Sequence, residues 1–168
     1  MPIKVESIVL GGPNAELFPS SVSSNLNFDA LILSGNNAKE LSVIIKKHLD
    51  TTYGFIKLTY NEEELFNEDF RNYLVLRWVI TIDWLEEYIN NGEAKMIEPE
   101  GISIKRACGN STLFINKIDS KEFILPEFEF LESTLKSGKY FFEYFKKFTQ
   151  TSNYENYLLK IKKLLNLI

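Results

Sequence analysis

The stretch WVITIDWLEEYINNG, residues 78–92, joins an apolar, β-branched run to a segment whose apolar residues recur at helical intervals. The first four residues, WVIT, have the composition of a buried strand. In the segment that follows, the apolar residues at helical spacing are Ile82, Leu85, Tyr88 and Ile89. Gly92 comes shortly after them, where a helix often ends. The stretch therefore predicts a short strand that leads without a loop into a helix carrying Trp84.

The residues before this stretch indicate further strands and helices in alternation. FDALILSG (28–35) is a continuous apolar run of the kind found in strands buried on both faces of a parallel sheet. Asn37 is a candidate N-cap for a helix that Gly54 ends, and FIKLTY (55–60) alternates like a second strand. EDFRNYLVLR (68–77) predicts a short helix. Strands that alternate with helices of this length favour a parallel sheet.

Residues 28–104 resemble the BRCT domain, the phosphopeptide- and protein-binding module of DNA-repair and checkpoint proteins. In that family a strand runs into a helix whose tryptophan packs into the core, and an apolar pair, a glycine and an acid follow. The residues that match this signature are Val79-Ile80-Thr81, Trp84-Leu85, Ile89, Gly92 and Glu98. Upstream, LILSG (31–35) matches the strand that ends in Ser/Thr-Gly before the first helix of the family. The resemblance gives Trp84 and Gly92 a structural role.

The fold implied by this resemblance is an α/β, three-layer domain with a four-stranded parallel sheet and flanking helices. The chain would then consist of an N-terminal arm (1–27), the BRCT-like domain (28–104) and a mainly helical extension (105–168). Within the extension, residues 130–138 repeat the spacing of the tryptophan segment. This echo is either chance or a degenerate second repeat, and chance is favoured because the extension is too short for a second complete domain.

The resemblance also implies a phosphate site. In family members that read phosphoserine, a hydroxyl and the following backbone N–H hold the phosphate; here these belong to Ser34 and Gly35, and Asn36 follows them. A cation from the second helix completes the pocket, and Arg71 is the candidate, although a strict register places Asn72 at that position. Helix N-terminal N–H groups and a charged partner suit a phosphate. The alternative is an ordinary strand-to-helix turn.

Composition restricts the class of protein. With 168 residues, 45% hydrophobic and 14% aromatic, the chain can form one core. Its net charge of -4 argues against nucleic acid as the main ligand. The single Cys108 and single His48 leave no His/Cys metal set, so no cofactor is expected. The sequence has neither a secretory signal nor a run long enough to span a membrane, which predicts a soluble intracellular protein that does not bind membranes.

Two functions remain open. The resemblance implies a non-enzymatic nuclear module that binds a partner protein or phosphopeptide in DNA repair, checkpoint control or telomere maintenance. The alternative is a small acidic bacterial or phage inhibitor, of the toxin-immunity type, that neutralises a basic enzyme. The acid runs Glu62-Glu63-Glu64 and Glu86-Glu87 have no catalytic partners nearby in the sequence, so they predict solvated faces and not an enzyme.

Overall fold

The structure is a computed structural model that describes residues 2–11, 29–67, 70–149 and 153–168. It contains two antiparallel sheets and four helices in these residues. The prediction of one four-stranded parallel sheet is wrong, because every strand pair in both sheets is antiparallel. Most of the predicted N-terminal arm, together with Phe28, lies outside the described residues.

The first sheet is built around a strand from the predicted arm. Its five strands are β1 (Lys4–Gly11), β2 (Asp29–Ile32), β3 (Tyr53–Tyr60), β4 (Glu63–Phe66) and β5 (Asn72–Tyr73). They lie in the order β2-β1-β3-β4, and β5 pairs with β3. Val9 of β1 pairs with Leu31 on one side and with Gly54 on the other. The apolar run at 28–35 contributes an edge strand in which Leu31 is buried but Ala30 and Ile32 are exposed, so the prediction of a strand buried on both faces is wrong.

Gly54 lies inside β3 and does not end the preceding helix. A Cβ atom at this position would stand 2.1 Å from the backbone oxygen of Ile8 on β1. Only glycine lets the two strands approach this closely. The helix before it, α1 (Ala38–His48), is followed by a 3-10 turn at Leu49–Thr51.

The second sheet spans the end of the predicted BRCT-like domain and the beginning of the predicted mainly helical extension. Its four strands are β6 (Glu93–Lys95), β7 (Ile102–Ala107), β8 (Ser111–Asn116) and β9 (Lys121–Pro126). They pair in sequence order as a meander. Burial alternates along β8, where Thr112, Phe114 and Asn116 are buried and the residues between them are half-buried. This alternation shows a sheet with one face on the core and the other towards solvent.

The stretch at 78–92 is almost entirely helix. The remaining helices are α2 (Leu74–Asn91), α3 (Glu127–Lys146) and α4 (Asn153–Leu165). WVIT lies inside α2, so the strand predicted there is wrong. The segment was misread because α2 is buried on several sides, which removes the amphipathic period that marks a surface helix. Thr81 fits this environment by donating its hydroxyl to the Arg77 carbonyl at 2.8 Å.

Two other boundaries differ from the predicted ones, and a third agrees. The helix predicted at 68–77 is replaced by β5 and the first turn of α2, and residues 68–69 lie outside the described part. Gly92 does end α2 as predicted, with φ of 76° and an N–H donated to the Tyr88 carbonyl at 2.7 Å. Gly138 does not break α3, which continues through it.

Helix α2 connects both sheets to the remaining helices in one core. Trp78 donates its indole N–H to the Ser7 hydroxyl on β1 at 2.9 Å and stacks on Phe141 of α3. Trp84, six residues later, packs against aromatic rings of both sheets and of α3; these are Phe66, Phe114 and Phe130. The core cluster includes buried residues from all three segments into which the sequence analysis divided the chain.

Gly138 supplies a sharp test of this packing. A Cβ at Gly138 would lie 3.0 Å from Trp78 Cζ3 and 3.1 Å from Ile82 Cδ1, both on fully buried side chains. Helix propensity alone favours Gly138→Ala by about 1 kcal/mol. We expect overpacking to reverse the sign and to lower the free energy of unfolding by about 1–3 kcal/mol.

Urea denaturation followed by tryptophan fluorescence measures this difference. Lys139→Ala, at the exposed neighbouring position, is the control and should change stability by less than about 0.5 kcal/mol. A Gly138→Ala protein as stable as the wild type would contradict the close approach of α2 and α3.

Candidate functional site

A spacious cleft lies between α2 and α4. It has a volume of about 510 Å³, within the range of ligand-binding pockets. The residues that line it are Asp50, Val75, Val79, Asn153, Tyr154, Asn156, Tyr157 and Lys160. Val75 and Val79 lie one helical turn apart and form an apolar floor, and α4 supplies amide and phenol groups. We call this the α2–α4 cleft.

One wall of the cleft is fixed by a contact between Tyr154 and Asp50. The Tyr154 hydroxyl donates a hydrogen bond to the Asp50 carboxylate, which lies on the 3-10 turn after α1. Tyr154 is buried, and its ring packs against Phe142 and Phe145 of α3. Burial, followed by the hydrogen bond to Asp50 and the charge of Asp50, raises the pKa of Tyr154 above the ordinary tyrosine value. Asp50 itself is exposed, so its carboxylate is accessible from the cleft.

The other wall carries an ion-pair cluster. Lys160 Nζ lies 2.7 Å from Asp83 Oδ1 and 2.5 Å from Glu86 Oε2. Burial alone would lower the pKa of Lys160, but the hydrogen bonds and charges of the two carboxylates outweigh it and raise the pKa. Lys160 is the one cation among the described residues that line the cleft. Asp83 and Glu86 lie beside the cleft and do not line it. The lining itself carries one acid, Asp50, and one cation, Lys160, whereas the surrounding region that includes Asp83 and Glu86 has a net charge of -2.

These features suit a cationic side chain. The aliphatic part of a Lys or Arg can pack on Val75 and Val79 while its charged head reaches the Asp50 carboxylate. The amides of Asn153 and Asn156 offer donors and acceptors for the backbone of the same ligand. Lys160 is already shared by two carboxylates, so it does not compete for Asp50.

In the first half of the predicted phosphate site, the backbone N–H expected to hold the phosphate is already used within the chain. Ser34, Gly35 and Asn36 are exposed in the turn between β2 and α1. However, the Gly35 N–H, which was expected to hold the phosphate, donates to the Ile32 carbonyl at 2.9 Å. Ser34 lines a separate cleft of about 240 Å³ with Lys136, which pairs with Glu132 at 2.7 Å. This arrangement corresponds to an ordinary turn.

The second half of the predicted phosphate site lies elsewhere on the first sheet. Arg71 and Asn72 precede α2 at β5, whereas Ser34 follows β2, and β1 and β3 lie between these strands. Ser34 and Asn72 are therefore three strand spacings apart, which is about 14 Å. Asn72 donates to the Glu98 carboxylate at 3.0 Å. The structure therefore does not bring the predicted phosphate-binding residues together.

The residues of the α2–α4 cleft were absent from the predicted site. Asp50 lies near the end of the first predicted helix, and Tyr154 lies in the predicted helical extension. A usable signal was present: Val75, Val79 and Asp83 recur every four residues. This four-residue spacing was not recognised because residues 78–81 were predicted to form a strand. In a strand, such spacing does not indicate a side that packs along a neighbouring helix.

The α2–α4 cleft remains the main candidate functional site when the other chemical groups and the comparisons with known proteins are considered. The described residues contain no group of His, Cys, Asp and Glu arranged to hold a metal, and no described helix is long and apolar enough to cross a membrane. Cys108 is exposed in the turn between β7 and β8. Comparison with known proteins finds no matching family, no matching curated protein and no matching solved structure.

The Tyr154–Asp50 contact predicts a pH dependence of stability. An unfolded tyrosine ionises near pH 10.0, whereas folded Tyr154 keeps its proton to higher pH. The contribution is therefore complete below pH 10 and is lost as the pH rises above it, because the unfolded state then releases a proton that the native state retains. Tyr154→Phe should flatten this decline by up to about 1.4 kcal/mol per pH unit.

Urea denaturation at pH 8 and at several values above pH 10 measures how the free energy of unfolding changes with pH in the wild type and in Tyr154→Phe. At pH 8 the same variant should lose about 1 kcal/mol, since the hydrogen bond to Asp50 is gone. Other tyrosines with raised pKa, such as Tyr53 and Tyr88, contribute equally to both proteins. Identical slopes for wild type and Tyr154→Phe would contradict the raised pKa of Tyr154.

Proposed function

We propose that this chain is a non-enzymatic protein-binding module that takes a Lys or Arg side chain of a basic partner into the α2–α4 cleft. The observation that carries the proposal is the combination of an apolar floor, Val75 and Val79, with an accessible carboxylate, Asp50. Such a site is complementary to a long side chain with an aliphatic stem and a cationic head. The role that fits is that of an acidic inhibitor of a basic enzyme.

The charge of the whole chain supports this role. A net charge of -4 and a pI of about 5.2 attract a basic protein over long distances and increase its association rate. The cleft adds a directed, short-range contact to this general attraction. Tyr154 holds Asp50 in place before a partner arrives, which reduces the entropy lost on binding.

We do not propose phosphopeptide binding for this chain. It depended on a parallel sheet, whereas both sheets in the described residues are antiparallel, and on residues that lie on opposite sides of β1 and β3. The nuclear location and the role in genome maintenance rested on the same resemblance, and no feature of the structure supports them.

Binding can be tested with the protein products of the reading frames adjacent to the gene for this chain, each coexpressed with it and examined by calorimetry. We expect a stoichiometric complex with a basic product that weakens at high salt. Asp50→Asn keeps an acceptor for the Tyr154 hydroxyl but removes the charge. It should weaken binding roughly tenfold to a hundredfold, the value of a charge-assisted hydrogen bond.

Two further variants complete the design. Val79→Arg fills the cleft with a cation of the chain itself and should abolish the complex. Glu87→Gln removes one charge from an exposed position of α2 outside the cleft, and we expect less than about a threefold effect from it. A complex that Asp50→Asn and Val79→Arg leave intact would overturn the proposed binding site.

A further inference from the structure

The solvent-facing side of the second sheet carries an apolar centre. The side chains that point away from the core are Glu93, Lys95, Ser103, Lys105, Leu113, Ile115, Glu122 and Ile124, and we call this surface the outer face. Leu113 pairs across strands with Ile124, and Ile115 pairs with Glu122. Ile124 is 65% exposed, and neither Leu113 nor Ile115 belongs to the core cluster. The exposed side of a two-sided antiparallel sheet is normally polar.

The apolar surface continues beyond the strands. At one end of the sheet, the β6–β7 loop and the β8–β9 turn expose Ile97 and Ile118. A cleft of about 450 Å³ at this end is lined by Lys95 and Ser103 of the outer face together with Ile97. Contiguous exposed aliphatic groups of this kind mark interaction surfaces.

The charges around this centre are balanced. Glu93 and Glu122 carry two negative charges, and Lys95 and Lys105 carry two positive charges. None of the four forms an ion pair within the described part of the chain. A nucleic acid, an anionic membrane or a strongly basic protein would each favour a face with one sign of charge. A neutral face that carries both signs is complementary to a second face of the same composition.

We propose that the outer face binds a second copy of this chain in a two-fold symmetric dimer. A two-fold axis in the plane of the interface turns the face onto itself, so that apolar centre meets apolar centre. The same operation can place acids of one copy against lysines of the other, because both signs are present on every copy. The two sheets then pack face to face as in a β-sandwich.

The size of the face determines the strength of the dimer. Four strands about 4.8 Å apart and about 20 Å long cover about 400 Å² per copy. A standard stable interface buries about 800 Å² per partner. The dimer is therefore reversible, with a dissociation constant in the micromolar range or weaker, and its fraction rises with protein concentration.

Sedimentation velocity of the full chain over a concentration series tests this dimer. Wild type should change from monomer to dimer, and Ile124→Glu should stay monomeric at every concentration. Val43→Glu is the matched control, because Val43 on α1 is 68% exposed and is equally aliphatic. It should dimerise like the wild type. Circular dichroism of all variants confirms that the monomers are folded.

Exchanging charges on the outer face gives a second test. Recovery of binding in a double variant cannot result from a folding defect. Lys105→Glu gives each face a net charge of -2, and the two copies then repel each other; association should weaken at least about tenfold. Adding Glu122→Lys restores neutrality and should recover most of the affinity. A wild type that is monomeric throughout, a dimer that Ile124→Glu leaves intact, or a double variant no tighter than Lys105→Glu would overturn the proposal.

This dimer is independent of the proposed partner binding. The outer face and the α2–α4 cleft have no residue in common. Ile124→Glu should therefore leave the binding of a basic partner unchanged, and Asp50→Asn should leave the dimer unchanged. Failure of one proposal does not imply failure of the other.

Discussion

The packing of Trp84 against three aromatic rings is the contact on which the fold depends. Phe66 belongs to the first sheet, Phe114 to the second and Phe130 to α3, and all three ring centroids lie within 6.3 Å of the Trp84 ring. Offset and edge-to-face aromatic pairs add specific geometry to the burial of large surfaces. Because four elements meet at one side chain, neither sheet can be placed without α2. Two small sheets, each weak alone, thereby share one core.

The central position of α2 also explains where a site can form. Both tryptophans are buried on different sides of the helix, since six residues correspond to a rotation of about 240°. The strip that remains runs through Val75, Val79 and Asp83, and α4 lies along it. Lys160 ties α4 to the end of this strip, while Tyr154 ties it to Asp50 at the beginning. The cleft is the space left between these two attachments.

The two proposed surfaces differ in the chemistry they select. The α2–α4 cleft is concave and lies in an acidic region, and its lining offers the Asp50 carboxylate, so it favours a cationic side chain. The outer face of the second sheet is flat, aliphatic and neutral, so it favours its own copy. Both surfaces surround apolar groups with charges, and the sign balance of those charges decides the partner in each case.

The sequence by itself determined the start of α1 after Asn37, the strand at 55–60, the end of α2 at Gly92 and the acidity of the chain. These properties depend on local composition and periodicity, which the sequence states directly. It did not determine the sheet direction, because β1 comes from a segment far along the chain from β3. It misassigned WVIT, because residues 78–81 are all buried or half-buried and the exposed polar residues of α2 lie outside this run. The α2–α4 cleft, which joins residues 50, 79 and 154, was decided by tertiary packing alone.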